Sequence, residues 1–336
     1  MLEQYDSKND EMDSIKIKVI GVGGGGNNAV TQMINSNVYG AEYYLVNTEI
    51  GTLNRADKKL CKTLQIGRET TRGLGAGAKP EIGEKAARES IEEIDKMLDG
   101  ADLVFLTAGM GGGTGTGALP VIAEEASKKG ILTVAVVTTP FAREGKLREA
   151  RAQMGIDRLK QNVNSLIVIS NQKLIGLGQK LSVIDLFKKV DDILRQAIES
   201  IIDIIYSVGT INVDFADVKT VLSYEGYAYM GLGTGEGDNK VENATKDALD
   251  NPLIERKIDG AKGVIINIRG GEAVTLDDAD KALEIIKSRA KDDANIIIGT
   301  EIDERYGKDV LVTVIATAVD DIDKNNKNKS TTIEDF

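Results

Sequence analysis

The sequence predicts an α/β protein, in which a doubly wound parallel sheet with helices on both faces precedes a smaller α+β domain. Short apolar segments alternate with helical segments over residues 15–170. Two glycine clusters stand where a predicted strand passes into a helix. A long apolar stripe at helical spacing then separates this region from the second domain.

Five short segments rich in aliphatic and β-branched residues predict the strands of the parallel sheet. They are Ile15–Ile20, Tyr43–Val46, Leu103–Thr107, Ile131–Val137 and Leu166–Ile169. Helices are predicted between them, near Ala29–Ile34, from Pro80 to Leu98, near Ala118–Lys129 and after Phe141. Ligands bind at the carboxyl ends of the strands in such sheets.

One long helix is predicted in the middle of the chain. Its apolar stripe consists of Leu186, Val190, Ile193, Ala197, Ile201 and Ile205. Beyond it we expect a helix opened by Asn212, strands at Gly263–Arg269, Asn295–Gly299 and Val310–Ala316, and a helix around Leu276–Ala290. The expected units are a disordered arm (1–14), a first domain (15–184), the central helix (185–208), a second domain (209–318) and a disordered tail (319–336).

Composition excludes several kinds of chemistry. The net charge of −11 argues against nucleic acid as a main partner. The chain has one cysteine and no histidine, so histidine-based triads and histidine metal sites are excluded. Its apolar runs are too short to span a bilayer, and residues 1–14 are polar. We therefore expect a cytoplasmic protein that does not insert into membranes directly.

The first glycine cluster, Gly21–Asn28, contains the spacing G-x-G-x-x-G between a strand and a helix. Glycine lets the backbone approach a phosphate closely, and a helix N-terminus supplies free N–H groups. The motif alone is weak, because a dinucleotide-binding protein or a tight structural turn would show the same pattern.

The second cluster, Gly109–Gly117, has six glycines in nine residues and also opens a helix. Successive backbone amides at such a turn form an anion-binding nest, to which threonine hydroxyls can contribute. Two such turns indicate one ligand with several phosphates. The chain has no G-x-x-x-x-G-K-[ST] motif, so a P-loop is excluded.

Five segments together resemble the tubulin/FtsZ family. Gly111–Gly117 resembles its signature loop, and Gly21–Asn28 its first phosphate loop. The other three are Gly73–Gly77 with Pro80, Pro140–Gly145 with Arg148, and Asn212–Val218. They occur in the family's order over about residues 15–318. The resemblance implies that residues 15–184 bind GTP or GDP and that residues 209–318 form an activation domain.

The resemblance also implies a role for each matching residue. The residues that would contact the phosphates or sugar are Gly24, Gly25, Gly26, Asn27, Asn28, Gly75, Ala76, Gly77, Gly111, Gly112, Gly113, Thr114, Gly115 and Thr116. Glu144 and Arg148 would lie near the ribose. Phe187 would stack on guanine, and Asp191 would accept hydrogen bonds from its N1 and exocyclic amine. No set of side chains is predicted as a metal site of its own.

Asp214 and Asp217 allow two interpretations. Acids in the first turn of a helix capped by Asn212 would simply complement its dipole. The resemblance instead implies that Asn212, Asp214 and Asp217 enter the nucleotide site of the next subunit, where the carboxylates polarise water. Two anions beside a triphosphate imply Mg²⁺. The implied assembly is a head-to-tail homopolymer.

Several positions depart from the family pattern, and the function is left with alternatives. Arg143, Glu49, Ser170 and Ala318 are unusual for the family, and 18 residues follow Ala318 without its usual adaptor-binding peptide. The leading hypothesis is a filament-forming GTPase of the midcell division ring, with membrane-adaptor or division proteins as further partners. The alternatives are a filament-forming paralogue with another role and a nicotinamide-dependent oxidoreductase.

Overall fold

The computed structural model describes residues 15–175, 182–206, 213–250, 254, 256–271 and 274–319. The predicted arm at 1–14, Asn212 and nearly all of the predicted tail lie outside these residues. Among the described residues, no helix is both long and apolar enough to cross a membrane.

The described residues form ten strands, which are β1 Ile17–Val22, β2 Glu42–Asn47, β3 Lys62–Gln65, β4 Leu103–Gly109, β5 Leu132–Thr139, β6 Ser165–Ser170, β7 Gly226–Gly235, β8 Gly263–Gly270, β9 Asn295–Ile302 and β10 Val310–Thr317. Their order in one sheet is β3-β2-β1-β4-β5-β6-β7-β10-β8-β9. The pairings from β3 to β7 are parallel, whereas β10 is antiparallel to both β7 and β8. The predicted parallel sheet is confirmed.

The helices in the described residues are α1 Gly23–Asn35, α2 Ile50–Leu53, α3 Arg68–Thr71, α4 Pro80–Glu89, α5 Ile91–Leu98, α6 Thr114–Lys128, α7 Lys146–Lys160, α8 Asn171–Ile175, α9 Val183–Tyr206, α10 Phe215–Leu222, α11 Lys240–Leu249 and α12 Leu276–Lys287. Short 3₁₀ turns lie at Ala142–Glu144 and Glu304–Tyr306. The predicted central helix is α9, whose buried residues pack on α1 and β5.

The sheet is continuous across the two predicted domains. Residues 165–167 of β6 pair with 226–228 of β7, and this short parallel ladder joins the two halves. Strands β1, β4, β5 and β6 are almost wholly buried, and one buried hydrophobic cluster continues from them into β7, β8 and β10. The phosphate-type glycine clusters follow two of these rigid central strands.

Some predicted boundaries were wrong. The single helix expected from Pro80 to Leu98 is two helices, because the backbone of Ser90 leaves the helical conformation. The Ser90 hydroxyl accepts a hydrogen bond from the Gly67 amide at 3.1 Å, which fixes this break. The helix expected near Ala29 begins at Gly23, so the first glycine cluster forms its first turn.

Strand β7 and helix α11 were not predicted, since glycines interrupt the strand pattern. Gly231 and Gly233 lie beneath α11, and a Cβ on either would overlap a carbonyl oxygen, of Ala248 and of Ala244 respectively. The glycines therefore allow the helix to approach the strand closely.

Candidate functional site

The predicted phosphate loops gather at one edge of the sheet. Strand β1 passes directly into α1, β4 leads through residues 110–113 into α6, and β5 leads through 140–145 into α7. Because these strands are parallel neighbours, their carboxyl ends lie side by side. The arrangement is the one that open α/β sheets use for ligands.

The two glycine clusters are in direct contact. A Cβ on Gly25 would lie 3.1 Å from the Gly109 nitrogen, and one on Gly23 would lie 2.9 Å from the Gly115 nitrogen. Side chains at these positions would therefore push the two loops apart. The backbones of both helix starts, α1 and α6, thus form one surface.

Two further segments border this surface. A Cβ on Gly113 would lie 2.8 Å from the Ala76 Cβ, so loop 73–79 covers the start of α6. A Cβ on Gly111 would lie 2.7 Å from the Arg148 carbonyl oxygen, so the start of α7 adjoins the second cluster. The structure therefore brings together four of the five segments that the sequence singled out.

The same surface has a glycine-lined opening. Apart from the adjoining backbone, no atom lies within 4 Å of a Cβ built on Gly24, Gly75, Gly77 or Gly112. Gly24, Gly25 and Asn28 form the exposed side of the first turns of α1. An opening lined by glycine backbone at two helix N-termini is suited to an anion with several phosphate groups.

Three of the predicted contact residues make hydrogen bonds that hold the loops in shape. Thr116 accepts a hydrogen bond from the Gly111 amide at 2.8 Å, and the Thr114 hydroxyl lies 2.9 Å from that of Thr48. Asn27 is 2% exposed. In the orientation that suits its neighbours, its amide donates to the Gly21 carbonyl at 2.8 Å. Gly26 is also buried, against β4.

The predicted base and ribose residues lie at the start of α9 and beside α7. The Phe187 ring, 47% exposed, meets the buried Phe141 ring edge to face, with 5.6 Å between centroids. Glu144 accepts a hydrogen bond from the Phe141 amide at 2.9 Å and pairs with Arg148 at 3.0 Å. Phe187 thus adjoins the segment that carries the predicted ribose residues.

Asp191 follows Phe187 by one helical turn and points from the same side of α9. Burial raises the pKa of this carboxyl to about 7. A buried carboxylate needs hydrogen-bond donors to replace water. Guanine presents two adjacent donors, at N1 and at its exocyclic amine.

Sequence reasoning missed Asn171. This residue follows the last residue of β6, at the same edge as the phosphate loops, and is buried. Its carboxamide oxygen has no hydrogen-bond partner among the described residues. A buried polar group without a partner is costly, so this oxygen is suited to accept a hydrogen bond from a ligand. Its position directly after a central strand was the signal that could have identified it.

The acidic pair lies elsewhere. Asp214 is the N-cap of α10, because its carboxylate accepts a hydrogen bond from the Ala216 amide at 3.0 Å. The expectation that Asn212 caps this helix was therefore wrong, since the helix begins two residues later. Asp217 is exposed, and its carboxylate has no ion pair or hydrogen bond within the described part of the chain.

Helix α10 ends at the edge of the sheet opposite the glycine loops. The Leu222 carbonyl at its last turn accepts a hydrogen bond from the hydroxyl of Ser165, the first residue of β6, at 2.9 Å. The glycine loops follow the last residues of β1 and β4. The chain before the acids starts from the same edge as the end of α10, because the Tyr206 hydroxyl at the end of α9 donates to the carbonyl of Ile15, just before β1, at 2.7 Å. The segment that carries Asp214 and Asp217 therefore begins and ends at the edge opposite the glycine loops, whose two helix N-termini form the phosphate cradle.

These features define a nucleotide-binding α/β protein whose cradle is built from two helix N-termini rather than a P-loop. Residues 16–179 match the Tubulin/FtsZ family, GTPase domain, and residues 226–320 match the FtsZ family, C-terminal domain. The chain belongs to the tubulin/FtsZ family, and it is a GTPase.

Solved structures agree with this assignment. The chain is 42% identical to FtsZ of M. jannaschii, solved as an empty dimer, over 90% of this chain and 88% of that one, with a TM-score of 0.83. For a tryptophan-to-tyrosine mutant of FtsZ from the same organism, the identity is 42%, the coverage 91% and 92%, and the TM-score 0.84. CetZ2 from Haloferax volcanii, solved as a GTPγS-bound protofilament, shares the fold at 18% identity. The match covers 95% of this chain and 100% of that one, with a TM-score of 0.78.

Proposed function

We propose that this GTPase polymerises head to tail and hydrolyses GTP at the junction between subunits, and that its filaments form the cell-division ring. The observation that carries the proposal is the separation of the glycine cradle from the segment of Asp214 and Asp217, which begins and ends at the opposite edge of the sheet. Neither end alone holds both the phosphates and the carboxylates. Stacking one subunit on the next brings them together.

In the proposed site, backbone amides of the two glycine clusters bind the phosphates. The opening beside Gly24 and Gly112 leaves room for phosphate oxygens to reach those amides. Thr114 and Thr116 keep the second cluster in its binding conformation through the hydrogen bonds described above. Asn27 does the same for the first, so its proposed contribution is to loop geometry.

The base and sugar bind at the other end of the cradle. The exposed part of the Phe187 ring stacks on guanine while the ring stays in its T-shaped contact with Phe141, which limits its freedom before binding. Ionised Asp191 accepts from guanine N1 and the amine, whereas adenine, whose N1 is an acceptor, leaves that carboxylate unsatisfied. The Glu144–Arg148 pair borders the ribose.

The neighbouring subunit completes the site. Its Asp217 carboxylate, exposed and unpaired among the described residues, orients and polarises the attacking water. Asp214 keeps α10 capped and adds a second negative charge. Exposed carboxylate oxygens suit Mg²⁺, and among the described residues no group of three or more acids or cysteines could hold a metal within one chain. When bound across the junction, Mg²⁺ would neutralise phosphate charge.

Assembly by this contact uses two different faces of the same subunit. Such heterologous contacts form open filaments when the rotation between subunits does not close a ring. In the proposal, residues 15–184 bind GTP, the central helix at 185–208 links the halves, and 209–318 activate the next subunit. The cytoplasm and the midcell ring are the proposed location, with membrane-adaptor proteins as further partners.

Phosphate release from GTP with Mg²⁺, measured against protein concentration together with light scattering, tests the proposal. We expect both signals to appear above the same threshold concentration, and neither with ATP. Specific activity that stays constant down to high dilution would contradict hydrolysis at a junction. Labelled protein expressed in dividing cells tests the division role, because a filament with another role would not collect at midcell.

A further inference from the structure

A largely buried guanidinium connects the central helix to the second half of the sheet. Arg269 of β8 lies 3.0 Å from the Asp203 carboxylate of α9 and 2.9 Å from the Glu301 carboxylate of β9. Only 11% of the Arg269 side chain is exposed, against 34% for Asp203. One arginine therefore spans three elements, in an environment where solvent screens the charges weakly.

This contact crosses a cavity rather than a packed interface. A cavity of about 990 Å³ lies between α9 and strands β7, β8 and β10, and its lining includes Leu232, Leu311 and both partners of the ion pair. On its other side, α9 packs against α1 and β5. Close packing therefore fixes the helix to the first half, while the Arg269–Asp203 pair holds it to the second half across the cavity.

The acidic side chains near Arg269 depend on it as a counter-ion. Along α9, Arg195 already pairs with Asp192 at 2.7 Å and with Glu199. Burial raises the pKa of the Glu199 carboxyl, which also indicates a poorly solvated surface. Without Arg269, the carboxylates of Asp203 and Glu301 would lose the counter-ion that they share.

The position of Asp203 gives the contact a functional meaning. Asp203 lies in the last turn of α9, which ends at Tyr206, and the chain reaches the N-cap Asp214 eight residues later. The Tyr206 hydroxyl donates to the Ile15 carbonyl at 2.7 Å. The end of α9 is thus attached to the first half through Tyr206 and to the second half through Asp203.

We propose that Arg269 is a positioning residue for hydrolysis: by holding the end of α9 to β8 and β9, it sets where Asp214 and Asp217 lie relative to the next subunit's nucleotide. This inference rests on the proposed function, since it assumes that those acids act at the junction. Arg269 itself acts only through these contacts and not on the nucleotide. A small displacement of the Asp214 and Asp217 carboxylates lowers the rate of GTP turnover strongly, although it leaves the nucleotide cradle unchanged.

The test compares Arg269→Gln with the matched variant Arg289→Gln. Arg289 also approaches two carboxylates, those of Asp250 and Asp259, each at 3.4 Å, but these contacts stay within the second half. GTP affinity is measured below the assembly threshold. Turnover is then measured per polymerised subunit, from phosphate release and pelleted protein in the same sample.

For Arg269→Gln we expect unchanged GTP affinity and KM, with turnover per polymerised subunit reduced about tenfold. For Arg289→Gln we expect wild-type values. Asp203→Asn, which removes only the partner's charge, should lower turnover in the same way, and the double variant should be no slower than Arg269→Gln alone. If Arg269→Gln does not fold, Asp203→Asn and Arg269→Lys provide the test.

Unchanged turnover per polymerised subunit in Arg269→Gln and Asp203→Asn would overturn the inference. So would an equal loss in Arg289→Gln, because that would indicate general destabilisation. If the wild-type protein itself shows no assembly-linked turnover, the proposed function fails instead, and the two failures are thereby distinguished.

Discussion

The ring of Phe187, near the start of the central helix, meets the ring of Phe141 at an interplanar angle of 88°, with the edge of one ring against the face of the other. Phe141 is buried at the end of β5, whereas almost half of Phe187 is exposed. The contact fixes the first turns of α9 beside the segment that leads into α7. It also leaves ring surface available for a planar ligand.

Phe187→Ala should weaken GTP binding by at least about fivefold, because base–aromatic stacking contributes about 1–3 kcal/mol. Tyr39→Ala is a suitable control, since Tyr39 is the most exposed large aromatic residue described and precedes β2, at the edge of the sheet opposite the glycine loops. Titration of both variants with a fluorescent GTP analogue measures the effect. Equal affinities for the two variants would argue against stacking by Phe187.

GTP affinity should fall as the pH drops below about 7. Burial raises the pKa of Asp191 to about 7, and only the ionised carboxylate can accept both guanine donors. With that pKa, binding should be about tenfold weaker at pH 6 than at pH 8. The variant Asp191→Asn should bind GTP weakly at both pH 6 and pH 8, without this tenfold change in affinity. A profile shared by the variant and the wild type would assign the titration to the phosphates instead.

Asp217→Asn should bind GTP normally and still assemble, but release phosphate at least about a hundredfold more slowly, since general acid–base catalysis contributes about that much or more. Asp277→Asn is the matched control, because Asp277 is also an exposed acid in the first turn of a helix. Phosphate release and sedimentation of both variants provide the comparison. Rapid turnover by the Asp217 variant would exclude its carboxylate from the mechanism.

Substitutions of Asp214 should separate its two roles. Asp214→Asn keeps a good N-cap but removes the charge, so stability should be retained while turnover falls. Asp214→Ala should lose turnover and also about 1 kcal/mol of stability, because the hydrogen bond to the Ala216 amide disappears. Thermal unfolding of the two variants distinguishes them. Identical melting temperatures would mean that the cap contributes nothing.

Two neighbouring glycines should respond differently to alanine. At Gly112 a Cβ meets no atom within 4 Å, so Gly112→Ala should fold normally but bind GTP about tenfold more weakly, since the methyl group occupies the cradle. At Gly113 a Cβ would lie 2.8 Å from that of Ala76, and overpacking costs about 1–3 kcal/mol of stability. Gly112→Ala should therefore lower GTP affinity without changing the melting temperature, whereas Gly113→Ala should lower the melting temperature. Both quantities are measured on both variants.

The cradle was predictable from sequence because its signal is local. Glycines directly after buried strands mark both phosphate loops, and parallel strands place such loops at one edge. Strand β7 was not predictable in the same way. Gly231 and Gly233 are needed because α11 packs closely against them, and this contact is made only in the folded chain. Residue patterns also could not show that Asp214, rather than Asn212, caps α10.

Other parts of the site depend on tertiary contacts. The raised pKa of Asp191 follows from burial, which residue type does not reveal. Asn171 carries no motif in the sequence, and only its buried, unpartnered oxygen identifies it. The Arg269 contact joins residues 66 positions apart in sequence, so no local pattern could indicate it.

Mixing two inactive variants tests the shared site most directly. One partner, Asp217→Asn, binds GTP but lacks the carboxylate, whereas the other, Phe187→Ala/Asp191→Ala, keeps the carboxylate but does not hold the base. A junction that combines the first variant's cradle with the second variant's acids is complete. We predict that the mixture releases phosphate from GTP much faster than either variant does alone. A mixture as inactive as its components would contradict hydrolysis between subunits.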